Sequence, residues 1–235
     1  MKRFLLLILI PLTANAWTRT SDQQIAARAA QLAPRDLQLV INRFHNQYVA
    51  GIDRALADEK VDPHRTHLRE RIEKESGVIV DLLRTKQPMP QVVFRLGILA
   101  HLVGDANNPF HVTTEQALDP EHADFEHYFE SRMVRFPTVF YGLDPSFSLP
   151  RYFDRVVKRT ANFAPLMTEE YFRGGTHHSS ADFDDRSTAF GVASICYSHA
   201  ITDIVNVDYY IWREAGGDVR QAASMRSARV IANAN

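Results

Sequence analysis

Leu37, Val40, Ile41, Phe44, Tyr48, Ile52 and Leu56 recur three or four residues apart, the spacing that gathers side chains on one face of a helix. They predict one long helix through 37–56. Before it, Ser21 with Gln24 three residues on reads as a capping-box start, and Pro34 closes that shorter helix. Leu68, Ile72, Ile79, Leu82 and Leu83 mark a third helix. Residues 90–105 are so apolar that they predict a fourth at the centre of a bundle. Stretches 122–134, 150–163 and 186–215 complete the set, the last stopped by Gly216 and Gly217. There is no run of alternating strands, no internal repeat and no linker that divides the chain. The pattern predicts an all-α, single-domain bundle of about seven helices, with a loosely held tail from Asp218 that is rich in Ala, Ser and Arg.

Composition adds constraints rather than elements. The 235 residues are 45% hydrophobic and 23% charged, which is globular, and the length is enough for one sizeable core. With 27 basic against 28 acidic residues, a protein held to nucleic acid mainly by a basic surface is disfavoured. Lys2 and Arg3, the apolar run Phe4 to Leu12, and Ala14-Asn15-Ala16 have the form of a secretory signal peptide over residues 1–16. The expected mature chain, 17–235, starts at Trp17, is slightly acidic and is exported, to a bacterial periplasm or to the medium. Its single cysteine, Cys196, cannot form an internal disulfide, so packing or metal must hold the fold in an oxidising space.

The candidate chemistry lies between His101 and Glu126. His101 and Asp105 stand four apart on the apolar helix, Pro109 ends it, and His111 follows in the turn. His122 and Glu126 repeat the four-residue spacing. Residues four apart share a helix face, so each pair presents imidazole beside carboxylate, the ligand types that zinc takes. A single pair of this kind is usually a solvated or hydrogen-bonded face. Two pairs and a Pro-x-His turn, one pair within an apolar helix, point to metal, because burying that charge without a cation is costly.

This block resembles the zinc-dependent phospholipase C family, whose superfamily includes the S1/P1 nucleases. The resemblance rests on His101-x-x-x-Asp105, Pro109-x-His111 and a mature chain that begins with tryptophan. It is strong over about 91–130 and weaker elsewhere. It implies an all-helical protein with a cluster of two to three zinc ions. Carried over, it gives His101 and Asp105 to one zinc, with Asp105 bridging to another, and His111, His122 and Glu126 to a second. Trp17, through its amine and carbonyl, and Asp105 would help hold a third. The first zinc also needs an upstream Asp and His. Asp58, in Leu56-Ala57-Asp58, is the preferred acid and also the candidate for orienting the attacking water, with Asp53 as competitor; His67 is preferred over His64. The chain departs from the family at Asp22, which stands where a histidine is usual; it is either a zinc ligand or an acid facing a helix N-terminus.

Other polar groups are weaker candidates. His199, Asp203 and Asn206 form a stripe on the last helix that reads as a hydrogen-bonded interior seam. His127 points away from Glu126, His177 and His178 sit in a Gly/Ser-rich loop, and His45 reads as a packing histidine. The resemblance implies phosphodiester hydrolysis by metal-activated water. His122-x-x-Phe125-Glu126 has the phospholipase form rather than the nuclease form, which favours a phospholipid substrate met by peripheral membrane contact. A single-strand nuclease and a non-catalytic zinc-binding scaffold are the alternatives.

Overall fold

The computed structural model describes residues 17–59, 67–144, 146–220, 225 and 227–231. Residues 1–16, expected to be a signal peptide, and His64 lie outside them. Ten α-helices are present among the described residues: α1 (Arg19–Ala30), α2 (Arg35–Arg43), α3 (His45–Glu59), α4 (Leu68–Arg84), α5 (Met89–Asp105), the single-turn α6 (Pro109–Val112), α7 (His122–Arg132), α8 (Leu149–Ala161), α9 (Ala164–Tyr171) and α10 (Thr188–Glu214). A two-stranded antiparallel ribbon, β1 (Thr138–Phe140) with β2 (Arg229–Ile231), sets Val139 opposite Val230.

The helix ends follow from local chemistry. Proline occupies a first or second helical position in α5, α6, α8 and α9, where its missing N–H costs nothing. Asn108 caps α6 by accepting from the Phe110 N–H at 3.0 Å, and Ser187 caps α10 by accepting from the Phe190 N–H at 3.1 Å. Gly216, at φ +82°, ends α10 in the left-handed region, and the Gly217 N–H donates to the Trp212 carbonyl at 2.7 Å. At the first helix the cap is Thr18, three residues before the expected Ser21, which is instead buried inside α1. The helix expected over 37–56 is two, because Phe44 leaves helical geometry at φ −114°, ψ 36°. Helix α9 and the ribbon were not expected. The ribbon ties Arg229–Ile231, in the tail read as loose, to β1.

Helices α5 and α10 form the centre. From Leu99 to Asp105 every residue of α5 is buried, and α10 buries most of its apolar positions between Ala189 and Ile211, with Ile195 left exposed. Of the stripe expected on α10, Asp203 and Asn206 lie in a hydrogen-bonded interior seam, whereas His199 is half-buried and stacks on Tyr141 with ring centroids 4.2 Å apart. Ser198, Thr202 and Asn206 accept from the backbone N–H groups of Val139, Tyr141 and Asp144 and so hold the segment around β1. Asp203 accepts from Tyr152 Oη at 2.5 Å, Asn107 Nδ2 at 2.9 Å and Arg159 at 2.7 Å.

Two glycines let α3 lie against α5. A Cβ on Gly51 would fall 2.0 Å from the Phe94 carbonyl oxygen, and one on Gly97 would fall 2.1 Å from that of Tyr48. Both obstacles are backbone, so neither yields without moving a helix. Gly97→Ala is expected to lose about 3 kcal/mol or more despite alanine's better helix propensity, lowering Tm by at least about 5 °C. Gly191→Ala on α10, where a Cβ meets nothing within 4 Å, should gain roughly 0.5–1 kcal/mol. Thermal unfolding of both variants checks the contrast.

Candidate metal centre

Four helices, α1, α3, α5 and α7, and the single-turn α6 bring seven side chains together, Asp22 coming from the first turn of α1. On α3 the buried positions Tyr48, Ile52, Ala55 and Glu59 form one stripe aimed at α5, and Glu59 ends it. His101 and Asp105 lie on the last turns of α5. The chain then turns through Ala106–Asn108, with the Asn107 N–H on the Gly104 carbonyl and the Asn108 N–H on that of Asp105, both 2.9 Å. Helix α6 follows at once and brings His111 back beside Asp105. His122 opens α7, and Glu126 stands one turn later. Phe110 stacks against His122 with ring centroids 6.0 Å apart and against Phe125 at 4.6 Å, which fixes that end of the cluster.

The seven groups form a connected chain of four acids and three imidazoles. Asp22 Oδ2 is 2.8 Å from His101 Nδ1. On the far side of that ring, Nε2 lies 3.3 Å from Asp105 Oδ2 and 3.8 Å from Glu59 Oε2. His111 Nδ1 is 3.6 Å from both Glu59 Oε1 and Asp105 Oδ2. His111 Nε2 lies 2.8 Å from His122 Nε2 and 3.8 Å from Glu126 Oε1, and His122 Nε2 is 2.8 Å from the same oxygen. None of the seven residues is more than 4% exposed. Burial pushes the Asp22 carboxyl well above the usual carboxylate range.

Three triads in this cluster have ligand atoms close enough to share an ion: Asp22, His101 and Asp105; Glu59, Asp105 and His111; and His111, His122 and Glu126. Imidazole nitrogens and carboxylate oxygens, with no thiolate among them, suit zinc and related divalent cations. Four carboxylates in so small and dry a volume would repel one another without cations.

Of the residues singled out in the sequence, the cluster unites Asp22, His101, Asp105, His111, His122 and Glu126. Trp17 borders it. Its fully buried indole donates to the Gly104 carbonyl at 3.0 Å and packs on Phe129 with ring centroids 4.0 Å apart, so the contacts shown are made by the ring. Asp58 is not brought in. It is half exposed and paired with Arg54 at 2.9 Å, one turn back on the outer face of α3, while Glu59 takes the inward position about 100° around the helix. Asp53 likewise faces outward, bonded to Arg19 at 2.6 Å. His67 is exposed at the start of α4 and belongs to none of the three triads. His127 and His45 are exposed, the latter against the expectation of packing.

No family model, curated protein or solved structure matches the chain. The fold and the donor set therefore define its class: an all-helical protein whose buried His/Asp/Glu triads can hold metal ions, a general arrangement for metal-dependent hydrolysis. No helix among the described residues is long and apolar enough to cross a membrane.

Proposed function

We propose that the protein is a zinc-dependent phosphodiester hydrolase of phospholipase C-like type, exported and acting on phospholipid through peripheral contact. The observation that carries this is the division of the cluster into two three-donor sets placed back to back. His101, with Asp105 and Glu59 at 3.3 and 3.8 Å from its Nε2, makes one, drawn from two of the three triads; His111, His122 and Glu126, the third triad, make the other. Three protein donors leave a fourth position for water or substrate, the mark of catalytic rather than structural zinc sites. The charge supports two ions, since Asp22, Glu59, Asp105 and Glu126 together balance two divalent cations.

Zinc held there would supply Lewis acidity and a bound water with a pKa lowered to about 7. The chain's own residues set where that chemistry happens. Asp105 lies between the two sets, within 3.6 Å of both His101 and His111, and so fixes their spacing. Glu59 turns one oxygen toward each of the same two rings. The aromatic wall of Phe110, Phe125 and Trp17 keeps water from the buried side of the cluster and leaves its carboxylates little freedom to relax.

Lipid is preferred over nucleic acid because His122-x-x-Phe125-Glu126 has the phospholipase form and the near-neutral chain offers no general basic surface to a polyanion. The zinc-loaded protein should hydrolyse phosphatidylcholine, and a chelator should abolish the reaction. Hydrolysis of single-stranded DNA but not of lipid would establish the nuclease reading instead. Failure on both substrates with zinc bound would leave a scaffold.

A further inference from the structure

His101 meets a carboxylate at each of its two ring nitrogens: Asp22 at Nδ1, and Asp105 with Glu59 at Nε2. A neutral imidazole has one lone pair in the ring plane and one N–H, so it can bind an ion on one side only and must donate a proton on the other. The Asp22 triad and the Nε2 set thus compete for a single ring. Two carboxylates and the neighbouring His111 ring stand on the Nε2 side. Beside the Asp22 carboxylate stands Trp17: a methyl placed on Gly104 would lie 3.6 Å from both Asp22 Oδ1 and Trp17 Cδ1. The indole there offers no lone pair, and its N–H already serves the Gly104 carbonyl.

Resting on the metal-centre reading above, the geometry points to Asp22 as a positioning residue rather than a ligand, one that accepts the Nδ1 proton of His101 and turns Nε2 toward the ion shared with Asp105 and Glu59. Carboxylate, imidazole and metal in line are a common support for metal-binding histidines; they fix the tautomer and make the ligating nitrogen more basic. The centre then holds two ions, and no third ion is built on Asp22. The acid that replaces the family's usual histidine keeps its place in the centre by a different task.

The test is zinc titration calorimetry on chelator-stripped full-length protein and on Asp22→Asn and Asp22→Ala. Both variants should bind the same number of ions as the parent. Affinity at one site should fall roughly 10–100-fold, less in the Asn form, whose amide oxygen still accepts from Nδ1. Loss of one whole equivalent, with the remaining affinity unchanged, would make Asp22 a ligand and overturn the inference. A measurement on the unaltered protein guards against misfolded variants: ¹⁵N-histidine spectra of the zinc-loaded form should show His101 protonated at Nδ1 and metallated at Nε2. The opposite assignment refutes the proposal. Unaltered protein that takes up no zinc refutes the metal reading itself, a distinguishable failure.

Discussion

Asp105→Asn is expected to reduce phosphodiester hydrolysis by more than about 100-fold while leaving the helical fold in place. Replacing a group that merely orients a ligand typically costs 10–100-fold in metal affinity or activity. Asp105 should exceed that, because it stands in two of the three triads, and the amide keeps its shape but removes the charge that both would share. The proper comparison is Asp203→Asn on α10. Asp203 is just as deeply buried, but it answers Tyr152, Asn107 and Arg159 in the interior seam. Its amide variant should lose about 1–3 kcal/mol of stability, the worth of hydrogen bonds to a charged group, with turnover almost unchanged. Steady-state rates and thermal unfolding on both variants separate the two effects. Equal losses of turnover would place the reactive centre elsewhere.

The difference between those two aspartates was legible in the sequence only in part. The pairs His101/Asp105 and His122/Glu126 could be read because helical periodicity alone brings residues four apart together, and the intervening turn is punctuated by Pro109. Glu59 was missed in favour of Asp58, yet a signal existed: Glu59 continues the 48, 52, 55 stripe, and Asp58 falls off it. Motif similarity pointed one residue away from where the helical period points. The break between α2 and α3 left no such trace, since Phe44 is apolar and at the right spacing and departs from helical geometry only in the folded chain. Strands of three residues are too short to display alternation. The ribbon depends on backbone groups that Ser198, Thr202 and Asn206 hold from 60 or so residues away, and of these three only Asn206 belongs to the polar stripe that the sequence shows. Asp22 was visible as a departure from a motif, but its contact with His101 spans 79 positions of sequence and needed the fold.

Stripping the metal is expected to destabilise the protein strongly, and more strongly as pH rises. An ion bound at a thousandfold excess over its dissociation constant adds about 4 kcal/mol to the folded state, so two such sites would shift Tm by roughly 15–30 °C in a chain of this size. The pH dependence has two sources of the same sign. Metal binding requires deprotonated carboxylates and neutral imidazoles, so the stabilisation it gives grows with pH. In the stripped protein, burial raises the Asp22 carboxyl well above its unfolded value. The folded state therefore holds a proton that the unfolded chain has released, and stability falls as pH rises from the usual carboxylate range toward that raised value. The gap in Tm between zinc-loaded and chelator-treated protein should accordingly be wider at pH 8 than at pH 5.5, as differential scanning calorimetry would record. Asp22→Asn should flatten the pH dependence of the stripped form while leaving a large gap between loaded and stripped. A gap that is absent at every pH would mean that the seven buried groups satisfy one another without a cation, and the centre would then be a hydrogen-bonded polar core.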